Sequence, residues 1–286
     1  FRVAEARKLR MLCGKVLMDR NCPDFLQDTA ESGRADSMAL IERWHGKGRL
    51  RYSITPRFAP TSTPEQLALA GELYKSRPDL HVQSHLAENP AEIAWVGQLF
   101  PNCRDYLDVY RHYGLLGPRT IYGHCIHLAP VEIGEMASTG SAAAFCPTSN
   151  LFLGSGFFNH AAASEAGIRV GLATDVGGGT SFSLIRTLGE AYKVSQVHRR
   201  PLPPLRAWFL ATLGGAQALY LDEFIGNFAP GKEADFVVLD PRATPELDFR
   251  LKGGESLAER LFAMLILGDE RCVAATHVMG KAAFRQ

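Results

Sequence analysis

A chain of 286 residues, 46% of them hydrophobic, is long enough for one large domain, or a domain with a smaller companion, and apolar enough to bury a core. Its 31 basic and 30 acidic residues are scattered and leave a net charge of +1, which excludes a basic stripe for nucleic acid or a polybasic membrane patch. Small-molecule chemistry is the function class that remains.

The first residue is Phe1, and Phe1 to Arg10 lacks the apolar run of a signal peptide, so the start reads as internal. Met11 to Met18 is mostly apolar and reads as a buried strand running into the loop Asp19-Arg20-Asn21. A helix is expected from about Thr29 to Gly46. Leu50 to Ile54 is the next strand, and it ends at Thr55-Pro56-Arg57-Phe58-Ala59-Pro60, where two prolines remove backbone donors and enforce an extended loop. Thr63-Pro64-Glu65-Gln66 is a capping-box pattern, followed by a helix whose buried face is Leu67, Ala70 and Tyr74 and which stops before Pro78.

Leu80, Val82 and Ser84 alternate with His81, Gln83 and His85, the two-residue period of a strand. Asn89-Pro90-Ala91-Glu92 then opens a helix with Asn89 as cap and Glu92 closing a second capping box. His85 and Glu88 therefore stand between a strand's end and a helix's start. Thr120 to Gly123 is a short strand delivering His124-Cys125-Ile126-His127, and a helix follows over Pro130 to Ser138. Ser141 to Cys146 is a strand ending in the loop Pro147-Thr148-Ser149-Asn150, and Arg169 to Thr174 is a strand ending at Asp175 and three glycines. Six repeats of strand, polar loop and helix are the pattern of a parallel α/β sheet or barrel, with every polar cluster on one end.

From Ile225 the character changes. A turn-rich segment leads to a strand over Phe236 to Leu239, a helix over Leu257 to Leu267 and a strand pair between Val273 and Phe284, which together read as part of a small β domain. That helix is interrupted by Glu259 and Arg260 and is too short to span a bilayer. Six cysteines without a Cys-x-x-Cys pair fit the reduced thiols of a cytosolic protein.

His85, His124 and Asp175 each follow a different predicted strand, and imidazole and carboxylate are the ligands of a catalytic zinc or iron that keeps a position open for water. A lone His at a strand end is more often a hydrogen-bonded structural residue, but three such positions on one predicted edge reverse that preference. Glu88 has two local readings, a proton carrier or a carboxylate favoured by the helix dipole. Asp175 with three glycines is not a P-loop, since the acid precedes the glycines and no Lys-Ser/Thr follows. Arg57 could be a surface charge, or a guanidinium that clamps an oxygen-bearing ring while Phe58 packs on it. His127 fits a supporting part better than a ligand.

QSHLAEN (83 to 89), YGHCIHL (122 to 128), CPTSNLFLGSGFF (146 to 158) and GLATDVGGG (171 to 179) resemble the amidohydrolase superfamily, and more narrowly its purine and triazine deaminating branch. KVLMDRN (15 to 21), TPRFAPT (55 to 61), ATLGGAQAL (211 to 219) and IGNFAPGKEADFVVLD (225 to 240) are similar to the guanine-acting members of that branch. The resemblance implies a (β/α)8 TIM-like barrel, with its strands three to eight and their helices over 1–224, and part of a small β domain, with a packing helix, over 225–286. It implies zinc, or alternatively Fe2+, held by His85 and Asp175, with His124 beside the metal-bound water. It also implies Glu88 as proton shuttle and Arg57 with Phe58 as the guanine-recognition pair.

The implied reaction is hydrolytic deamination of guanine to xanthine and ammonia, by a cytoplasmic homodimer with no nucleic-acid or membrane partner. The family's metal is also held by a His-x-His pair on the first strand. No His-x-His occurs in this sequence, so strands one and two and their two histidines are expected before Phe1, and a chain truly beginning there is expected to bind zinc weakly and show little activity. The alternatives are a related deaminase or chlorohydrolase acting on an adenosine derivative or a triazine, and an inert barrel fragment.

Overall fold

The computed structural model describes residues 1–253 and 256–286. The chain divides into two compact units, Phe1–Ala143 with Ala166–Ile168, and Ala144–Glu165 with Arg169–Gln286.

The first unit is a parallel sheet with helical crossovers. Its strands are β1 (Met11–Cys13), β2 (Val16–Leu17), β3 (Leu50–Pro56), β4 (His81–Leu86) and β5 (Thr120–His124), in the order β1-β3-β4-β5 with β2 also alongside β3. Every pairing among them is parallel. Parallel neighbours need long crossovers, and these are the helices Ala30–Trp44, Pro64–Ser76, Pro90–Leu99 and Tyr106–His112. Thr29 and Asn89 cap the first and third of these with complete capping boxes, as the sequence indicates for Asn89. Tyr52, Ile54, Leu67, Leu80, Val82 and Leu86 are sealed from solvent and form the core.

Three details depart from the sequence expectations here. The single buried strand expected over Met11 to Met18 is broken into β1 and β2, with Met11 and Val16 exposed. The break lies at Gly14, where a Cβ would stand 1.9 Å from the Ser53 carbonyl oxygen, and where the next backbone N–H, of Lys15, turns to the Tyr52 hydroxyl at 3.1 Å. At Thr63 the capping oxygen accepts the Gln66 N–H at 3.2 Å, but the return bond is not made. Asp19 takes the Thr63 N–H instead at 2.7 Å, while the Gln66 amide goes to Asp28 at 2.7 Å. Leu73, rather than Tyr74, is buried on the face of that helix.

β6 (Ala142–Phe145) has residues in both units. In the second unit it is followed by β7 (Arg169–Leu172), and the Ala173 N–H donates to the Phe145 carbonyl at 2.8 Å. Pro147 to Asn150, expected as a loop, is the first part of the helix Pro147–Phe152, since proline at the first helical position forfeits no hydrogen bond. β8 (Phe236–Leu239), β9 (Val273–Val278) and β10 (Lys281–Arg285) form an antiparallel sheet in the order β10-β9-β8. The helix Leu257–Leu267 buries Ala263 and Met264 with Ile185, Leu247, Leu251 and Cys272. Among the described residues no helix is long and apolar enough to cross a membrane.

Three positions generate expected outcomes. Gly14→Ala meets backbone, which cannot give way, and is expected to lower unfolding free energy by about 1–3 kcal/mol. Gly97→Ala, on an exposed helix face with nothing within 4 Å, is expected to raise it by about 0.5–1 kcal/mol; urea titration measures both. His160 is 7% exposed and stacks at 6.2 Å from Phe145. Burial, with Arg206, His198 and Arg200 nearby, pushes its imidazole down to about 4. The folded state thus binds this proton less readily than the unfolded chain, so the stabilisation is complete above about 6.5 and is lost as pH falls toward 4. The loss is about 3 kcal/mol at 1.36 kcal/mol per pKa unit. Stability curves of His160→Gln between pH 4 and 7 are expected to be flatter than those of the unaltered chain.

Candidate active site

Within the first unit the sequence-predicted residues Arg57, Phe58, His85, Glu88 and His124 come together at the C-terminal ends of β3, β4 and β5. β3 ends at Pro56, and the Arg57 N–H donates to the Leu17 carbonyl of β2 at 3.3 Å. The segment Arg57 to Thr61 is then fastened from the side. Asp19 and Arg20 N–H groups donate to the Thr61 carbonyl, and the Asn21 amide donates to the Pro60 carbonyl at 2.8 Å. The Arg57 guanidinium lies over the Phe58 ring, 4.6 Å from its centre, and Trp95 meets that ring edge-on at 6.2 Å. Phe58 also faces His85, with ring centres 6.2 Å apart.

His85 is oriented by one acceptor. The Arg57 carbonyl oxygen takes both the His85 backbone N–H, at 3.1 Å, and its Nδ1 at 2.7 Å. A carbonyl only accepts, so Nδ1 carries the proton and Nε2 presents the lone pair a metal needs. His124 pairs in register with Leu86, is 2% exposed, and its ring centre is 5.2 Å from that of His85. Its Nε2 is 3.7 Å from a Glu88 carboxylate oxygen.

The backbone here is bent into sparsely populated space. Ala87, His124 and Cys125 have φ of 49°, 70° and 53°, each costing about 1–3 kcal/mol for a residue with a Cβ. That turn is held because the Cys125 N–H donates to the Leu86 carbonyl at 2.9 Å, and those of Ile126 and His127 donate to Ala87 at 3.2 Å. Glu88 is placed by its own N–H, which donates to Glu92 Oε2 at 2.9 Å. Burial pushes the Glu92 carboxyl up, opposed by hydrogen bonds from Tyr106 and from the Glu88 and Asn89 backbone. His127 is exposed.

Asp175 belongs to the second unit. It follows β7 with φ of 46°, and the glycines after it fold back on it: the Gly179 N–H donates to the Asp175 carbonyl at 2.5 Å. A Cβ on Gly179 would lie 2.0 Å from the Thr174 carbonyl, and one on Gly178 would lie 3.2 Å from the Asp175 carboxylate. The glycine run thus packs against its own aspartate.

The imidazoles in the first unit suit a divalent metal: they stand side by side, and one has its lone-pair nitrogen fixed. Sequence reasoning missed Trp95, Ser84 and Tyr110 as parts of this site. Trp95 had one available signal, an aromatic on an exposed face of the helix that follows the His85 strand.

The profile of the amidohydrolase family matches residues 2–283. The guanine deaminase of Escherichia coli (strain K12) is 52% identical over 286 residues, covering 100% of this chain and 65% of that protein. The solved structure of the E. coli guanine deaminase superposes with a TM-score of 0.98 at 52% identity, covering 100% of this chain and 67% of that one. A guanine deaminase from C. acetobutylicum, with bound guanine in the active site, superposes with a TM-score of 0.90 at 31% identity, over 99% of this chain and 67% of that one. The chain therefore spans about 65% of the length of the first of these relatives. With a profile match running almost from end to end and a parallel β/α framework carrying histidines at its strand ends, this chain belongs to the amidohydrolase family.

Proposed function

We propose that the protein deaminates guanine hydrolytically, giving xanthine and ammonia. The observation that carries this reading is the Arg57–Phe58 pair, a guanidinium and an aromatic face fixed at a strand end beside His85, His124 and Glu88. Guanine offers a carbonyl oxygen on its ring and a flat purine face to such a pair.

In this reading Arg57 donates to the guanine carbonyl oxygen and Phe58 packs on the ring. Zinc, or alternatively Fe2+, would be held by His85 Nε2 and the Asp175 carboxylate; when bound, such a metal lowers the pKa of a water toward about 7 and so supplies a nucleophile at neutral pH. His124 orients the attacking water through Nε2, and Asp175 accepts its proton. Glu88 donates a proton to the ring nitrogen adjacent to the amino-bearing carbon. The carboxylate so formed takes the hydroxyl proton of the tetrahedral carbon and passes it to the departing amine, which leaves as ammonia, and the proton held by Asp175 restores Glu88. The place of Asp175 rests on the family resemblance and on its position directly after β7. So do the assignment of 1–224 to strands and helices of the barrel and of 225–286 to a β domain, the homodimer and the cytoplasmic location.

Substrate profiling at equal protein concentration tests the reading: ammonia release from guanine is expected to exceed that from adenosine derivatives and chlorinated triazines, and the reverse order overturns it. Glu88→Gln is expected to lower kcat by about 10²–10⁴-fold with little change in KM, the usual worth of positioned acid-base help. Arg57→Ala removes a charge-assisted hydrogen bond of about 1.5–3 kcal/mol and is expected to raise KM by about ten- to a hundredfold. Metal content by elemental analysis is expected to fall in His85→Ala and to stay unchanged in Arg57→Ala.

A further inference from the structure

Behind the site lies the helix Tyr106–His112, with Tyr106 and Tyr110 one turn apart, their rings stacked at 5.8 Å. Tyr106 is 2% exposed and Tyr110 fully buried. A buried hydroxyl must find a protein partner, and phenylalanine would fill the same space without that requirement. Both hydroxyls are spent on the candidate site.

Tyr110 donates to the His85 carbonyl at 2.8 Å, accepts the Ala59 N–H at 3.1 Å, and lies 2.8 Å from Ser84 Oγ, which itself donates to the Pro56 carbonyl at 2.7 Å. One oxygen therefore joins the residue after Arg57-Phe58 to the His85 backbone. Tyr106 instead donates to Glu92 Oε1 at 2.7 Å, and the other oxygen of that carboxylate accepts the Glu88 N–H at 2.9 Å and the Asn89 N–H at 3.3 Å. Tyr122, a third buried tyrosine 5.0 Å from Tyr110, sends its hydroxyl to the Leu115 carbonyl at 2.7 Å, away from these groups.

We infer that Tyr106 and Tyr110 are positioning residues with divided duties: Tyr110 sets the Arg57–Phe58 segment against His85, and Tyr106, through Glu92, sets Glu88. The inference rests on the deamination reading, in which Arg57 and Phe58 bind the purine and Glu88 moves protons. Loss of the Tyr110 hydroxyl loosens recognition, and loss of the Tyr106 hydroxyl loosens proton transfer.

The test is steady-state kinetics on guanine for Tyr106→Phe, Tyr110→Phe and, as a buried-tyrosine control, Tyr122→Phe, each assayed below its melting transition. Small misplacements of reacting groups are worth up to about 10²-fold. Tyr110→Phe is expected to raise KM about tenfold with kcat within about threefold, and Tyr106→Phe to lower kcat about tenfold with KM within about threefold. Tyr122→Phe is expected to change neither. Equal changes in both parameters for both variants, the same changes in the control, or no change at all overturn the inference.

If the unaltered chain does not turn over guanine, the deamination reading fails, and hydrogen exchange decides the inference. Faster exchange at 57–59 in Tyr110→Phe alone, and at 88–89 in Tyr106→Phe alone, supports it; uniform or absent acceleration overturns it.

Discussion

The Arg57 carbonyl oxygen is the point on which the candidate site turns. It accepts two donors from His85, fixing the imidazole tautomer and the ring plane together. Because that oxygen belongs to the residue whose guanidinium lies over Phe58, the recognition segment and the metal-facing histidine cannot move independently. The prolines at 56 and 60 and the bonds from Asp19, Arg20 and Asn21 hold this carbonyl in place from the far side. A shift of β2 relative to β3 would reach His85 through three hydrogen bonds.

Much of the fold was legible because its signals are local. The Asn89 capping box, the alternation along β4 and the prolines after β3 each specify a conformation within a few residues. The break of the first strand was not, since only the carbonyl of Ser53, nearly forty positions away, shows why Gly14 interrupts it. The Thr63 box was half right for a related reason: its pattern is correct, but Asp19, distant in sequence, takes the Thr63 N–H that would have closed it, and Asp28 draws the Gln66 amide away.

The candidate site was legible in the same proportion. His85, His124, Glu88, Arg57 and Phe58 are chemically conspicuous types at strand ends, and the first unit brings them close together. Tyr110 and Ser84 are not conspicuous, because a tyrosine in an amphipathic helix and a serine inside a strand read as packing. Their significance comes from where hydroxyl groups end, which periodicity does not encode.

The left-handed backbone at Ala87 and Cys125 has an implication for how such a protein responds to selection for heat resistance. Glycine occupies that conformation without steric penalty. Exchange for glycine would relieve local strain and leave intact the backbone N–H bonds of Cys125, Ile126 and His127 that hold the turn. A lineage selected for endurance therefore has room to gain stability at these two strand ends without touching an imidazole.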